Sequence, residues 1–473
     1  MNSNAWILLA ALICLFIGLA FGVRAIRSQD ATLHKQIYIG TTLIMLSCAL
    51  IGGIGVTWRM TRTPSYTPES APLPAQSQVI MNQWSGQESS FFRASLSGKD
   101  GEVHWRYPVQ SQCANSLLTT LANGIIYEKG TFPEKQDICI QASRLDNGTV
   151  LWSTHIKSSQ PPSNLQPAPV SNEQLFSPTR DQLLVVDGKL ILQVDDNMYV
   201  LNAQDGKILR MIKPGVSGYD AIVSNFATNN KVLIIDYSYA ESMEKGLSDI
   251  FVCVQLADGK VLWKSARGKY QDLIAVQGNT LYTQGKSIVA LRVQDGSQLW
   301  QANLPHFSIV GSSASSERVY VRAQKSSGSA DAFVYALDAH NGRLLWKVPV
   351  DTWSGGSPVE ADGITYITDT NTLSAYRANN GQLLWQQREN PLPNTAIAFN
   401  PYDRITFAQP IVVDGMVFVI TSFGVSYPPP LVLIPRFCLG GCTPITGLFA
   451  FRASDGKPYW HQQVQGALIA VYK

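Results

Sequence analysis

Cysteine and histidine are the residue types here best suited to redox, metal or nucleophilic chemistry, and their spacing offers little of it. The six histidines, His34, His104, His155, His306, His340 and His461, are scattered, with no pair at a metal-ligand interval. No nucleophile elbow or phosphate-cradling glycine loop occurs. The residues alone therefore nominate no catalytic, cofactor-binding or metal-ligating set.

The seven cysteines offer structural chemistry instead. Cys14 and Cys48 lie inside apolar stretches, and five more follow, an odd number that cannot all pair internally. Cys113 and Cys139 could bridge neighbouring strands of one blade, and Cys438 could close on Cys442 within CLGGC. Both bonds need an oxidising compartment; the alternative is that the thiols stay free and buried.

The elements that must position these residues come from an internal repeat. Eight phrases share an apolar strand, Asp or Asn, Gly, and a second strand: KDGEVHW, DNGTVLW, QDGKILR, ADGKVLW, QDGSQLW, HNGRLLW, NNGQLLW and SDGKPYW. Asp-Gly and Asn-Gly supply the positive φ of a tight turn at little steric cost, so each phrase predicts an antiparallel hairpin. Successive turn glycines lie 47, 58, 53, 37, 46, 39 and 75 residues apart, around the period of one four-stranded sheet with its loops. The predicted fold is all-β: an eight-bladed β-propeller of four-stranded antiparallel blades over residues 78–473.

Trp105, Trp152, Trp263, Trp300, Trp346, Trp385 and Trp460 close seven of the phrases and are expected to fill the wedges between blades. Arg210 stands in their place once, its stem expected in the same gap with its head towards solvent. The first repeat lacks an innermost strand, whereas residues 466–473 follow the last motif without a partner. The tail is expected to complete blade one and so remove two exposed edges.

Residues 1–62 read as a two-helix transmembrane hairpin. The stretches from Trp6 to Val23 and from Ile37 to Trp58 lack charge and are long enough to span a bilayer. A cleaved signal peptide competes for the first, but residues 1–5 carry no Lys or Arg and a second span follows. Arg24, Arg27 and Lys35 in the connecting loop place that loop in the cytoplasm and the repeats outside it, at a cell membrane. Pro64, Pro68, Pro72 and Pro74 make residues 63–77 a tether.

Net charge is +3 over 473 residues, yet the residues after 63 are close to neutral. A nucleic-acid binder of this size needs a basic surplus for phosphate neutralisation, so DNA and RNA are excluded as partners. Asn147-Gly148-Thr149 matches a glycosylation sequon inside a blade turn and is taken as a chance match.

The connections are unequal. In an antiparallel blade with strands A to D from the axis outward, the D-to-A and B-to-C connections emerge on one face of the disc. Every long connection is of that kind: 158–180 and 389–404 before A strands, and 128–137, 239–249, 323–331 and 423–446 between B and C. One elaborated face and one plain face predict a binding face. Its richest stretch holds Phe423, Tyr427, Pro428, Pro429, Pro430, Leu431 and Phe437 around the two CLGGC cysteines. These residues could meet a partner, fold over the channel mouth as a plug, or face the membrane.

The phrase LDAHNGRLLW after the strand FVYA resembles the PQQ (pyrroloquinoline quinone) repeat shared by quinoprotein alcohol dehydrogenases and BamB-type assembly propellers. The resemblance covers residues 78–473 and implies the blade architecture, since its motif residues are scaffold. Two functions follow as expectations. One is a non-enzymatic, membrane-anchored propeller that binds a protein or surface ligand and carries no cofactor. The other is a PQQ-dependent dehydrogenase of alcohols or sugars, using PQQ and calcium. The dehydrogenases resembled hold the quinone on a Trp, with Ca²⁺, a catalytic Asp and often a ring of adjacent cysteines. No adjacent Cys pair exists in this chain; Asp195, Asp196 and Asp403 match no calcium context, and Trp353 is the spare tryptophan of the later blades.

Overall fold

The computed structural model describes residues 78–85, 90–108, 113–131, 137–158, 183–195, 197–213, 221–240, 247–285, 287–304, 307–325, 332–350, 356–369, 372–388, 404–407, 409–424, 446–464 and 466–472. All of them belong to one compact unit formed by 68–389 with 401–473. The expected spans at 6–23 and 37–58 and the tether at 63–77 lie outside the described residues. Among the described residues no helix is long and apolar enough to cross a membrane.

Eight antiparallel sheets succeed one another along the chain. The first holds β1 (Gln78–Ser85), β2 (Ser90–Ser97) and β3 (Val103–Pro108). The second holds β4 (Ala114–Ala122), β5 (Ile125–Thr131), β6 (Ile138–Arg144) and β7 (Val150–Ile156). The third runs β8 (Leu183–Val186), β9 (Lys189–Val194), β10 (Asn197–Asn202) and β11 (Ile208–Ile212). The fourth runs β12 (Ala221–Thr228), β13 (Val232–Ala240), β14 (Leu247–Gln255) and β15 (Val261–Lys264). The fifth comprises β16 (Gln271–Gln277), β17 (Thr280–Gln284), β18 (Ser287–Arg292) and β19 (Gln298–Asn303). The sixth comprises β20 (Phe307–Ala314), β21 (Arg318–Lys325), β22 (Ala332–Asp338) and β23 (Leu344–Val350). The seventh is β24 (Val359–Ala361), β25 (Ile364–Thr368), β26 (Thr372–Arg377) and β27 (Leu383–Arg388). In the eighth, β28 (Arg404–Phe407) and β29 (Ile411–Val413) share the A position along β30 (Met416–Gly424), followed by β31 (Thr446–Arg452) and β32 (Pro458–Val464). Pro410, which has no N–H to donate, falls between the two halves of that split strand.

The last strand, β33 (Gly466–Tyr472), pairs antiparallel with β1, and the first sheet reads β3-β2-β1-β33. Blade one is thus completed by the tail, as the missing inner strand predicts.

Each Asp/Asn-Gly phrase forms its hairpin for a local reason. The C and D strands slip register by one residue just before the turn, at Val200/Leu201, Cys253/Val254, Ala290/Leu291 and Ala336/Leu337 among others. Such a bulge places a left-handed residue in the turn, which glycine supplies. The acid before it caps the turn: Asp258 Oδ1 accepts the Lys260 N–H at 3.0 Å, and Asp205 and Asp455 accept equivalent bonds at 3.1 Å.

The core lies between blades. Clusters join blades three and four around Met198, Leu233 and Val252, and blades seven and eight around Leu373, Val417 and Phe451. Inner strands are sandwiched on both faces, so β13 is buried along most of its length, whereas outer strands such as β19 alternate.

The seams share one hydrogen bond. Trp152, Trp263, Trp300, Trp346, Trp385 and Trp460 send Nε1–H to the carbonyls of Ala203, Val293, Ala339, Ala378, Ala453 and Gly98, each on the next blade, at 2.7–3.0 Å. The indole lies against the turn glycine of that blade. Gly206 and Gly456 have φ near +70°, and a Cβ on either would sit 2.4 Å from Cε3 of Trp152 or Trp385. Glycine is therefore required twice over at this position.

Two seams depart from the rule. Arg210 donates from Nη1 to the Asp258 carbonyl at 2.7 Å and from Nη2 to the Ala257 carbonyl at 2.8 Å. Its head is exposed, as expected, and grips the same turn one and two residues further along than the tryptophans do, because a guanidinium carries several N–H donors on an apolar stem. At the seam of blades one and two, Tyr107 rather than Trp105 takes the carbonyl: its hydroxyl donates to Leu145 O at 3.1 Å, and its ring lies against Gly148. Trp105 stacks on Tyr107 with centroids 5.1 Å apart and packs beside Leu145.

Candidate functional site: the face of long connections

The strand bounds fix which face carries which connection. Residues 123–124, 187–188, 229–231, 278–279, 315–317, 362–363 and 414–415 join A to B strands, and five-residue turns such as 203–207 join C to D. Residues 157–182, 241–246, 326–331, 389–403 and 425–445 all join strands at the opposite ends. The long connections therefore start and finish on one side of the ring.

Cys113 and Cys139 are joined at that side with a Cα separation of 5.3 Å, and the bridge links the start of β4 to β6 across the intervening β5 rather than neighbouring strands. Cys253, in contrast, is free and buried on β14, where desolvation pushes its thiol up to about 12 and leaves it unreactive. Phe423 lies in β30 opposite Ile405 of β28. Tyr427, Pro428, Pro429, Pro430, Leu431, Phe437, Cys438 and Cys442 lie outside the described residues, as do Asp196, Asp403 and Trp353. Asp195 accepts a 2.7 Å hydrogen bond from the Ser158 hydroxyl at the base of the 157–182 connection.

Polar side chains also join inner strands of neighbouring blades. Ser312 donates to Gln284 Oε1 at 2.9 Å. Arg322, almost fully buried, reaches the Thr368 carbonyl and lies 4.0 Å from Asp369.

Between blades four and five sits a pair of buried acids. Asp236 Oδ2 accepts the Leu273 N–H at 3.0 Å, and Asp249 Oδ2 accepts the Asp272 N–H at 2.9 Å. The second oxygen of each is buried with no hydrogen-bond partner among the described residues. Burial, then the neighbouring Asp249 charge, raises the Asp236 carboxyl well above the usual range; burial likewise raises Asp249. Asp272 turns instead towards Gln284 Nε2, 3.4 Å away. The arrangement anchors β16 to blade four.

A second buried ionic group ties blade one to blade two. Arg93 Nη2 lies 2.7 Å from Glu128 Oε1, and both side chains are 2% exposed. Sequence reading missed both groups. Their signal was a charge inside an otherwise apolar strand, as in VLIIDYSYA, but strands 13 residues apart or on different blades meet only through register.

Calcium takes six to eight oxygen ligands. Among the described residues no group of three or more His, Cys, Asp or Glu converges to hold a metal.

A family model for the PQQ-type repeat, described as outer membrane protein assembly factor BamB, matches residues 247–331, which contain the whole of blade five. The chain folds as eight sheets, and the PQQ-type match falls on the stretch that holds the fifth of them. It is 30% identical over 125 residues to the outer membrane protein assembly factor BamB of Yersinia pestis, covering 24% of this propeller chain and 30% of that protein. It is 24% identical over 237 residues to the tetrathionate hydrolase of Acidithiobacillus ferrooxidans, covering 42% and 46% respectively. The chain thus spans less than half the length of either curated relative it matches. Among solved structures it is similar to the computationally designed Ika8 protein, with TM-score 0.50, 12% identity and coverage of 76% of this chain and 96% of that one. That likeness concerns the fold.

Proposed function

We propose that the protein is a non-enzymatic binding module, held at the membrane by residues 6–23 and 37–58 and displayed outside the cytoplasm. The face of long connections recognises a protein partner. The observation that carries this reading is the one-sidedness of the connections: the plain face is closed by satisfied turns, whereas all the added chain is spent on the other. Similarity to a protein named as an assembly factor supports protein recognition. The Cys113–Cys139 bridge supports an oxidising, extracytoplasmic setting.

The test is affinity capture after in-cell crosslinking, using the full chain and a variant with 425–445 replaced by a Gly/Ser linker. Loss of specific partners from the variant, with its melting temperature kept, is the expected outcome. Identical partner sets from both proteins would sink the role of this loop. The quinoprotein reading is checked on the same material by adding PQQ and Ca²⁺. Dye reduction with alcohols or sugars would overturn the non-enzymatic reading.

A further inference from the structure

On the plain face, at the seam of blades one and two, the displaced Trp105 borders a cleft. Tyr107 donates to the Leu145 carbonyl, and the Trp105 indole stacks on the Tyr107 ring. The indole lines a cavity of about 480 Å³, within the usual size of small-ligand clefts (about 300–1,000 Å³).

The lining is divided. Trp105, Ile125, Leu145 and Leu151 supply apolar surface, and Leu151 is 45% exposed. Gln78, Asn123, Arg144 and Asp146 supply polar groups. Arg144 and Asp146 form a two-pronged pair, Nε to Oδ1 and Nη2 to Oδ2, both at 3.2 Å.

Each class of ligand meets a different consequence. A charged molecule gains little, because the guanidinium and the carboxylate already cancel one another. A purely apolar side chain would strip water from four polar groups and replace none of it. A neutral ring with one C–H face and a hydroxyl perimeter satisfies both walls. Its face lies on the indole, and its hydroxyls bridge the amides and the Arg144–Asp146 fork, which offers donors and acceptors side by side.

We propose that this cleft binds a neutral pyranose sugar. The site is remote from the long connections in the strand topology, so it stands or falls independently of the partner-binding face.

The experiment is ¹⁹F NMR of the full chain labelled with 5-fluorotryptophan, with the Trp105 resonance assigned by its loss in Trp105→Phe. The probes are glucose, galactose, N-acetylglucosamine, cellobiose and chitobiose, with N-acetylphenylalanine amide as the apolar comparison. Saturable movement of the Trp105 resonance by at least one sugar, absent for the amide, is expected. Saturation-transfer NMR on unlabelled protein should show the same sugar, with the signal reduced at least fivefold in Trp105→Ala and in Asp146→Ala. Replacing 425–445 should leave that signal unchanged. No movement up to about 50 mM of any sugar, or a larger response to the amide, would overturn the proposal.

Discussion

The Trp460 indole donates its Nε1–H to the Gly98 carbonyl at 2.8 Å, across 362 residues of chain. Within blade one β33 pairs with β1, so a side-chain bond between blades and a strand ladder inside one blade together close the ring.

Removing residues 466–473 leaves the inner edge of β1 unpaired. The expected result is loss of cooperative unfolding and exposure of apolar surface, since every other blade depends on a closed circle of neighbours. Thermal denaturation followed by circular dichroism checks this. A truncated protein that melts like the full one would show that closure is dispensable.

Arg210 and the tryptophans perform the same docking with different apolar surface. Trp300→Ala should cost roughly 3–5 kcal/mol, as the indole is buried and its hydrogen bond lost. Arg210→Ala should cost only about 1 kcal/mol, because its bonds to Ala257 and Asp258 lie exposed. Denaturant midpoints at constant m-value measure both. Equal losses would mean that the carbonyl bond, and not burial, governs the seam.

Asp236 predicts a pH dependence of stability. Its folded-state carboxyl titrates above its unfolded value, so its contribution is fully present below the unfolded pKa and declines as pH rises through the folded one. Asp236→Asn should therefore raise the melting temperature at pH 7, by roughly 2–4 °C, and change it little at pH 4. Calorimetry at the two pH values is the check. A variant less stable than wild type at pH 7 would mean that the carboxylate is needed in its ionised form.

How much of this was visible beforehand depended on distance along the chain. The hairpins were legible because Asp-Gly, its bulge and the Trp lie within seven residues, and ring closure followed from a strand left over at each end. The exchange between Trp105 and Tyr107 was not, because residues two apart on one strand face the same side and only the seam decides which takes the carbonyl. The Asp236–Asp249 pair depended on the register of β13 with β14, which puts Ser238 opposite Asp249. The Arg93–Glu128 pair needed two blades in contact. Of the partner-binding candidates, only Phe423 falls within a described strand.

The order of strands also bears on biogenesis. β33 follows all the other strands in the chain, so a polypeptide emerging residue by residue carries seven finished sheets while the first still lacks its central rung. Throughout that interval β1 offers an unsatisfied ladder to any extended segment nearby, and a holding chaperone or rapid export must shield it until the circle shuts.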